Sequence, residues 1–166
     1  MTSIGNETLW TNTKGFSIST NKDYLDMDMI CDFLHHDSYW VKGIAKELIW
    51  ASIENSSICY GIYKGNPLEG NGQQVGFARV VTDFVRFSHL GDVFVLPEYR
   101  GRGLSKWMLS IIIEHPQLKG TYFSLATKDA HTLYEQFGFQ SVENMEKRMA
   151  RSLNWEAVYK GHRLKN

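Results

Sequence analysis

The sequence has no excess of either charge, few cysteines, few prolines and no long apolar run. Eighteen Lys and Arg residues balance eighteen Asp and Glu, whereas a dedicated nucleic-acid binder usually carries a basic excess. The two cysteines, Cys31 and Cys59, stand 28 positions apart, with no CxxC and no Cys/His pair at zinc-site spacing. They are expected to be buried thiols in a reducing cytoplasm, and no metal site is expected. Residues 1–10 lack a basic start and an apolar stretch, so no signal peptide is expected. The longest apolar runs, Trp107-Met108-Leu109 and Ile111-Ile112-Ile113, fall far short of the roughly 20 residues that span a bilayer. The expected setting is therefore the cytoplasm, with neither membrane nor nucleic acid as partner. There is no GxxxxGK[ST] loop, no internal repeat and no low-complexity segment.

What remains is an ordinary globular composition: 166 residues, 43% of them hydrophobic. That length suits one domain and a core that needs no covalent staple. Charge is nonetheless uneven. Residues 147–166 carry six basic side chains against Glu156 alone, a net +5, so the preceding 146 residues carry −5. Asp23, Asp26, Asp28, Asp32 and Asp37 crowd one early segment. They read either as solvated surface or as an acidic mouth that attracts a cationic amine.

Periodicity divides the chain into a loose arm at 1–15, a domain at 16–152 and a tail at 153–166. A short strand at 16–20 precedes two helices, at 23–36 and 41–53, with apolar residues at helical spacing. Strands follow at 57–63, 74–82 and 86–96, with strong turn chemistry between the first two. A helix at 103–115 ends before Pro116. A strand at 121–126 leads to a helix capped by Thr127 and stopped at Gly138. Two closing strands are expected, one from 139 onward and one at 147–153. The result is an α/β (α+β) fold with a mixed, mostly antiparallel sheet of about seven strands, about four helices and one βαβ unit.

The segment Val95-Leu96-Pro97-Glu98-Tyr99-Arg100-Gly101-Arg102-Gly103-Leu104-Ser105-Lys106 carries the chemistry. A strand ends at Pro97, and Gly101 and Gly103 let successive N–H groups point at one anion. The helix that follows adds its positive end. Arg100, Arg102 and Lys106 add countercharge, so the loop reads as a cradle for a diphosphate. A dinucleotide fingerprint would need a third glycine where Lys106 stands.

Arg100 to Ser105 resembles the R/Q-x-x-G-x-G/A loop of the GNAT superfamily of acyl-coenzyme-A-dependent N-acetyltransferases, with Ser105 in the last small position. Downstream, Thr127-Lys128-Asp129-Ala130-His131-Thr132-Leu133-Tyr134-Glu135-Gln136-Phe137-Gly138-Phe139 resembles that family's N-x-x-A-x-x-L-Y-E-x-x-G-F, with Thr127 in the usual Asn position. Ser38-Tyr39-Trp40-x-Lys42-Gly43 and the run from Gly76 to Asp83 resemble a bacterial-type subfamily. The resemblance implies a GNAT fold and acetyl transfer from acetyl-CoA to a primary amine by direct attack in a ternary complex. The acceptor is expected to be a small molecule. A protein lysine or N-terminus, a non-catalytic acyl-CoA sensor and a nucleotide-binding module are the alternatives. Relatives leave a homodimer open.

On that resemblance the cofactor contacts fall on Phe94, Val95, Arg100, Gly101, Arg102, Gly103, Leu104, Ser105, Thr127 and His131. Tyr134 matches the family's general acid for the departing thiolate. The amine must attack neutral. With a pKa of ~10.4 it is neutral in roughly 1 molecule in 2,500 at pH 7, equivalent to about 4.6 kcal/mol. His89 and Asp92, on the strand feeding the loop, are the candidate bases. Three positions apart, they face opposite ways on a regular strand, and a bulge at Gly91 would bring them together. Tyr39, Trp40 and Trp50 fall in or near the two early helices, which in that family wall the acceptor site. Trp40, Arg79 and Asp83 are expected on the acceptor side, with Trp40 able to hold an amine against its ring. In His35-His36-Asp37 the adjacent histidines diverge on a helix and lack a third ligand, so the run reads as a helix end. Ser105 has no His–Asp partner and is no nucleophile.

Overall fold

The structure is a computed structural model and describes residues 8–142, 149–151, 154 and 157–159. Its β-branched and aromatic stretches pair in chain order into one sheet: β1 (Leu9–Thr11), β2 (Phe16–Ser19), β3 (Ile58–Lys64), β4 (Gln73–Thr82), β5 (Phe87–Val95) and β6 (Tyr122–Ser124). The first four pairings are antiparallel and the last is parallel. A parallel pair needs a crossover, and the glycine loop with helix α3 (Leu104–Ile113) provides it. The mixed sheet and the βαβ unit are as expected, with six strands among the described residues rather than about seven. β1 lies inside the expected arm and forms the sheet edge. Residues 139–142 form no strand. The second closing strand was placed at 147–153, where 147–148 and 152–153 lie outside the described residues.

Helices cover both faces of the sheet. On one face Tyr60, Ile62, Val75, Val80 and Leu90 pack against Leu104, Met108, Leu109 and Ile112 of α3 and Tyr134 of α4 (His131–Glu135). On the other, Cys59, Phe77 and Phe94 pack against residues of α1 (Met27–Asp32) and α2 (Lys46–Glu54). Both cysteines are free and buried, as expected. Burial pushes the Cys59 thiol up to about 11, so neither packing nor acidity prepares it as a nucleophile. No helix among the described residues is long and apolar enough to cross a membrane.

Both early helices are shorter than their apolar spacing suggests, for local reasons. Leu25 is extended, and the Asp26 carboxylate accepts the Met29 N–H at 3.0 Å, which sets the start of α1. From Phe33 to Asp37 the chain widens into a π-helical turn. Ser38 closes that turn, its N–H donating to the Phe33 carbonyl at 3.0 Å and its hydroxyl to the Leu34 carbonyl at 2.6 Å. Gly43 turns left-handed and Ala45 is extended, so α2 begins at Lys46 rather than 41. The Lys22 ammonium donates to the carbonyls of Ile53, Glu54 and Ser56 at 2.9, 3.1 and 2.8 Å and so closes the end of α2. The two helices are tied by Lys46, 3.9 Å from Asp28 and 3.3 Å from Asp32.

Two buried hydroxyls, those of Tyr60 and Tyr63, find no hydrogen-bond partner among the described residues, and burial raises both phenols. The Tyr63 ring lies where a Cβ on Gly61 would sit. Tyr63→Phe is expected to raise stability in urea denaturation by about 1 kcal/mol, because it removes an unsatisfied buried donor. Gly61→Ala is expected to lower it by about 1–3 kcal/mol through overpacking against that ring.

Candidate active site

The pairing of β4 with β5 slips by one residue between Phe77–Phe94 and Arg79–Gly91, so Asp92 and Val93 together oppose Ala78. This is a β-bulge, and Asp92 takes φ 51°, a left-handed value that few side chains tolerate. The sequence placed the irregularity at Gly91; the structure places it one residue later. The parallel pairing of β5 with β6 covers only Phe87–His89 with Tyr122–Ser124. Beyond His89 the strands part, and a cleft of about 770 Å³ opens between β5 and residues 125–130. That volume suits a small-molecule site.

The bulge turns Asp92 onto the cleft face that carries His89, Arg79 and Trp40. One Asp92 oxygen accepts from Arg79 Nε at 2.5 Å and the other from the Trp40 indole N–H at 2.8 Å. Arg79 also reaches the Ser56 hydroxyl at 3.3 Å. Each Asp92 oxygen thus accepts one donor and the carboxylate is only 8% exposed, so it holds Trp40 and Arg79 in place. His89 stands differently. Its Nδ1 lies 3.0 Å from the Ser124 hydroxyl. Burial, then the nearby Arg79 charge, lower its pKa below the usual histidine value against the opposing pull of Asp92. A neutral, cleft-lining imidazole is the form that can accept a proton.

Across the cleft stands Tyr134, 8% exposed, its phenol pushed up to about 12 by burial and by neighbouring Tyr39 and Asp129. It keeps its proton throughout the physiological range. Tyr39 and Trp40 form a bridge over the space between these groups. Trp40 is anchored to Asp92 on β5. Tyr39 donates to Asp129 at 3.2 Å and accepts the Lys128 N–H at 3.0 Å on the far bank. The two rings meet edge to face at 5.1 Å. The sequence points to Tyr39 as well as Trp40 beside the acceptor site, but not to the partners of Tyr39, which lie about ninety positions away.

At the carboxyl end of β5 the chain turns through Pro97–Tyr99 into the glycine loop. Gly101 and Gly103 have φ 74° and 79°. Among the described residues, none of the backbone N–H groups of 101–106 donates to a protein acceptor. Six such amides at a helix start make an anion site. Arg100 and Ser105 line the cleft with Phe94, Val95 and Thr127. Arg100 Nε donates to the Val95 carbonyl at 2.9 Å. The Thr127 hydroxyl accepts the Ala130 N–H at 3.1 Å, the kind of bond expected of a cap, while α4 itself begins at His131. Leu104 is buried in the core beneath the loop.

Three expected site residues lie apart. Asp83 caps the turn after β4, accepting the N–H groups of Val85, Arg86 and Phe87 at 2.9, 2.8 and 3.0 Å. Those bonds hold its carboxyl down at about 2. His131 lines a second cavity behind β6, not the cleft. Arg102 points to the opposite side of the loop. Of the five early aspartates only Asp37 lines the cleft, while Asp26, Asp28 and Asp32 cap α1 or pair with Lys46. His35 Nδ1 lies 2.7 Å from the Ile44 carbonyl, and among the described residues no cluster fits a metal ion.

Removing the Asp92 carboxylate would leave a mostly buried guanidinium without a countercharge, held among the described residues by the Ser56 hydroxyl alone, and would remove the acceptor of the Trp40 indole. Asp92→Ala is expected to lower stability by on the order of 3 kcal/mol in chemical denaturation, and Asp92→Ala with Arg79→Met to recover most of that loss.

The Acetyltransferase (GNAT) domain family matches residues 55–141, the span from β3 through the glycine loop to the end of α4. A Gibberella zeae protein with an acetyltransferase name is 35% identical over 152 residues, covering 81% of this chain and 85% of its own. A crystal structure of a GNAT-family protein from Xanthomonas campestris pv. campestris superposes with TM-score 0.76 at 41% identity, covering 83% of this chain and 93% of that one. A GNAT acetyltransferase from Elizabethkingia anophelis, solved with acetyl-CoA bound, shares the fold with TM-score 0.56 at 13% identity, covering 85% and 89% of the two chains. The chain belongs to the GNAT family and is an acetyltransferase.

Proposed function

We propose that the chain transfers the acetyl group of acetyl-CoA to the primary amine of a small molecule, by direct attack within a ternary complex. The observation that carries this reading is the cleft, with six undonated N–H groups at one end and His89 and Tyr134 facing it farther along. The donor set fits the cofactor: the amides of 101–105 take a diphosphate, and β5 beyond His89, free of β6, offers a strand edge to an extended pantetheine arm. A bound cofactor supplies a thioester carbonyl activated for attack.

The chain's own residues then manage the protons. His89, neutral at pH 7, accepts the proton that the acceptor ammonium must lose. Tyr134, protonated up to about 12, donates a hydrogen bond to the sulfur as negative charge develops there. A thiol near pKa 8.5 is more acidic than this phenol by about 3.5 units. The hydroxyl therefore stabilises the thiolate by hydrogen bonding as the N–C bond forms and the C–S bond breaks, and the sulfur takes the second proton, which the nitrogen sheds on becoming an amide. The Tyr39–Trp40 bridge narrows access, which favours a small acceptor over a lysine on a folded protein surface. Trp40 offers that acceptor an aromatic face.

Steady-state kinetics with a panel of amines, read by thiol release, tests the assignment. His89→Gln is expected to lower kcat/KM by about 10²-fold or more, and Tyr134→Phe by about 10²-fold, with little change in stability. Because the fold lowers the His89 pKa, the wild-type rate falls only as pH drops below about 6.5, and His89→Gln removes that acid limb. An unchanged limb in the variant would take the base role from His89.

A further inference from the structure

A third recess, of about 530 Å³, lies on the side of the glycine loop turned away from the cleft. Its charged lining is Lys14, Lys64 and Arg102, with no carboxylate among the lining residues. That is unexpected in a chain whose first 146 residues carry a net −5, because three like charges held together repel one another unless an anion joins them. The backbone builds the recess. Gly15 and Gly65 turn left-handed, the Gly65 N–H donates to the Gly15 carbonyl at 2.8 Å, and the Ser17 hydroxyl donates to the Gly65 carbonyl. These bonds clamp the β1–β2 turn to the β3–β4 turn, and so set Lys14 beside Lys64. Arg102 lies over the Tyr99 ring, 5.7 Å from its centre, and the Tyr99 hydroxyl donates to Gln73 at 3.4 Å. The nearby Glu69 carboxylate is engaged by the Asn66 and Asn71 side-chain amides at 3.1 and 3.4 Å.

Arg102 sits between the glycines whose amides form the anion cradle, so the recess adjoins the cradle directly. We propose that Lys14, Lys64 and Arg102 form a phosphate-monoester subsite that holds the 3′-phosphate of the coenzyme A nucleotide while the amides of 101–105 hold its diphosphate. This rests on the acetyl-CoA reading above and extends it. The two phosphate groups of that nucleotide are separated by one ribose, and the loop presents one cationic surface to each. Lys14 and Lys64 come from turns that no glycine-loop motif includes, so the subsite distinguishes the phosphorylated nucleotide from its dephospho form.

Isothermal calorimetry with CoA and 3′-dephospho-CoA, on the wild type and on the Lys14→Gln/Lys64→Gln variant, decides it. The wild type is expected to prefer CoA by about tenfold or more. The variant is expected to lose that preference to within about twofold while keeping its affinity for 3′-dephospho-CoA, which also reports an intact fold. The preference should weaken as salt rises. A wild type that binds both ligands equally, or a variant that keeps the full preference, overturns the subsite and leaves the acetyl-CoA reading standing. A wild type that binds neither ligand overturns both.

Discussion

Strand β5 carries one residue more than β4 can pair with, and that residue is Asp92. A left-handed aspartate inside a strand costs energy unless its surroundings hold it. Here Arg79 and Trp40 both donate to its carboxylate. The bulge, the ion pair and the indole bond therefore form one unit. It turns the Asp92 side chain to the same face as His89, and it fixes Trp40 over the cleft. It lies where β5, having parted from β6 after His89, runs on toward the glycine loop. The cleft, the imidazole and the aromatic bridge all depend on this irregularity.

The glycine loop adds the second constraint. Its amides are left without protein acceptors because two left-handed glycines prevent the helix from starting earlier. Pro97 and the buried Leu104 fix its two ends, one at the close of β5 and one in the core. An anion bound there faces a helix N-terminus and the end of the cleft at once. Binding and chemistry are thus ordered along a single strand: charge recognition at its carboxyl end, proton transfer near its middle.

Much of this was legible in the sequence because it is local. The strand–glycine–helix grammar of 95–106, the apolar face of α3 and the position of Tyr134 depend on neighbouring residues, and the structure shows each of these elements. The mixed sheet followed from the same grammar. What was not legible depends on distant partners. Three positions on a strand predict opposite faces for His89 and Asp92; a salt bridge to Arg79 on the next strand accompanies the bulge that overrides that rule. Tyr39 finds Lys128 and Asp129 only once α1 and β6 are assembled. Asp83 looked like an acceptor-side carboxylate, but three amides of its own turn claim it. The expected helix at 23–36 starts only at Met27 and widens from Phe33 to Asp37 into a π-helical turn, because apolar spacing does not register a widened turn.

The central claim is that the amides of 101–105 and the free edge of β5 together receive the coenzyme. A ¹⁵N–¹H correlation titration with CoA tests it residue by residue. The largest amide shifts are expected on Gly101 to Ser105 and on β5 from Gly91 to Val95. Shifts concentrated instead around the cavity behind β6, at His131 and residues 137–142, with the loop amides unmoved, would contradict it.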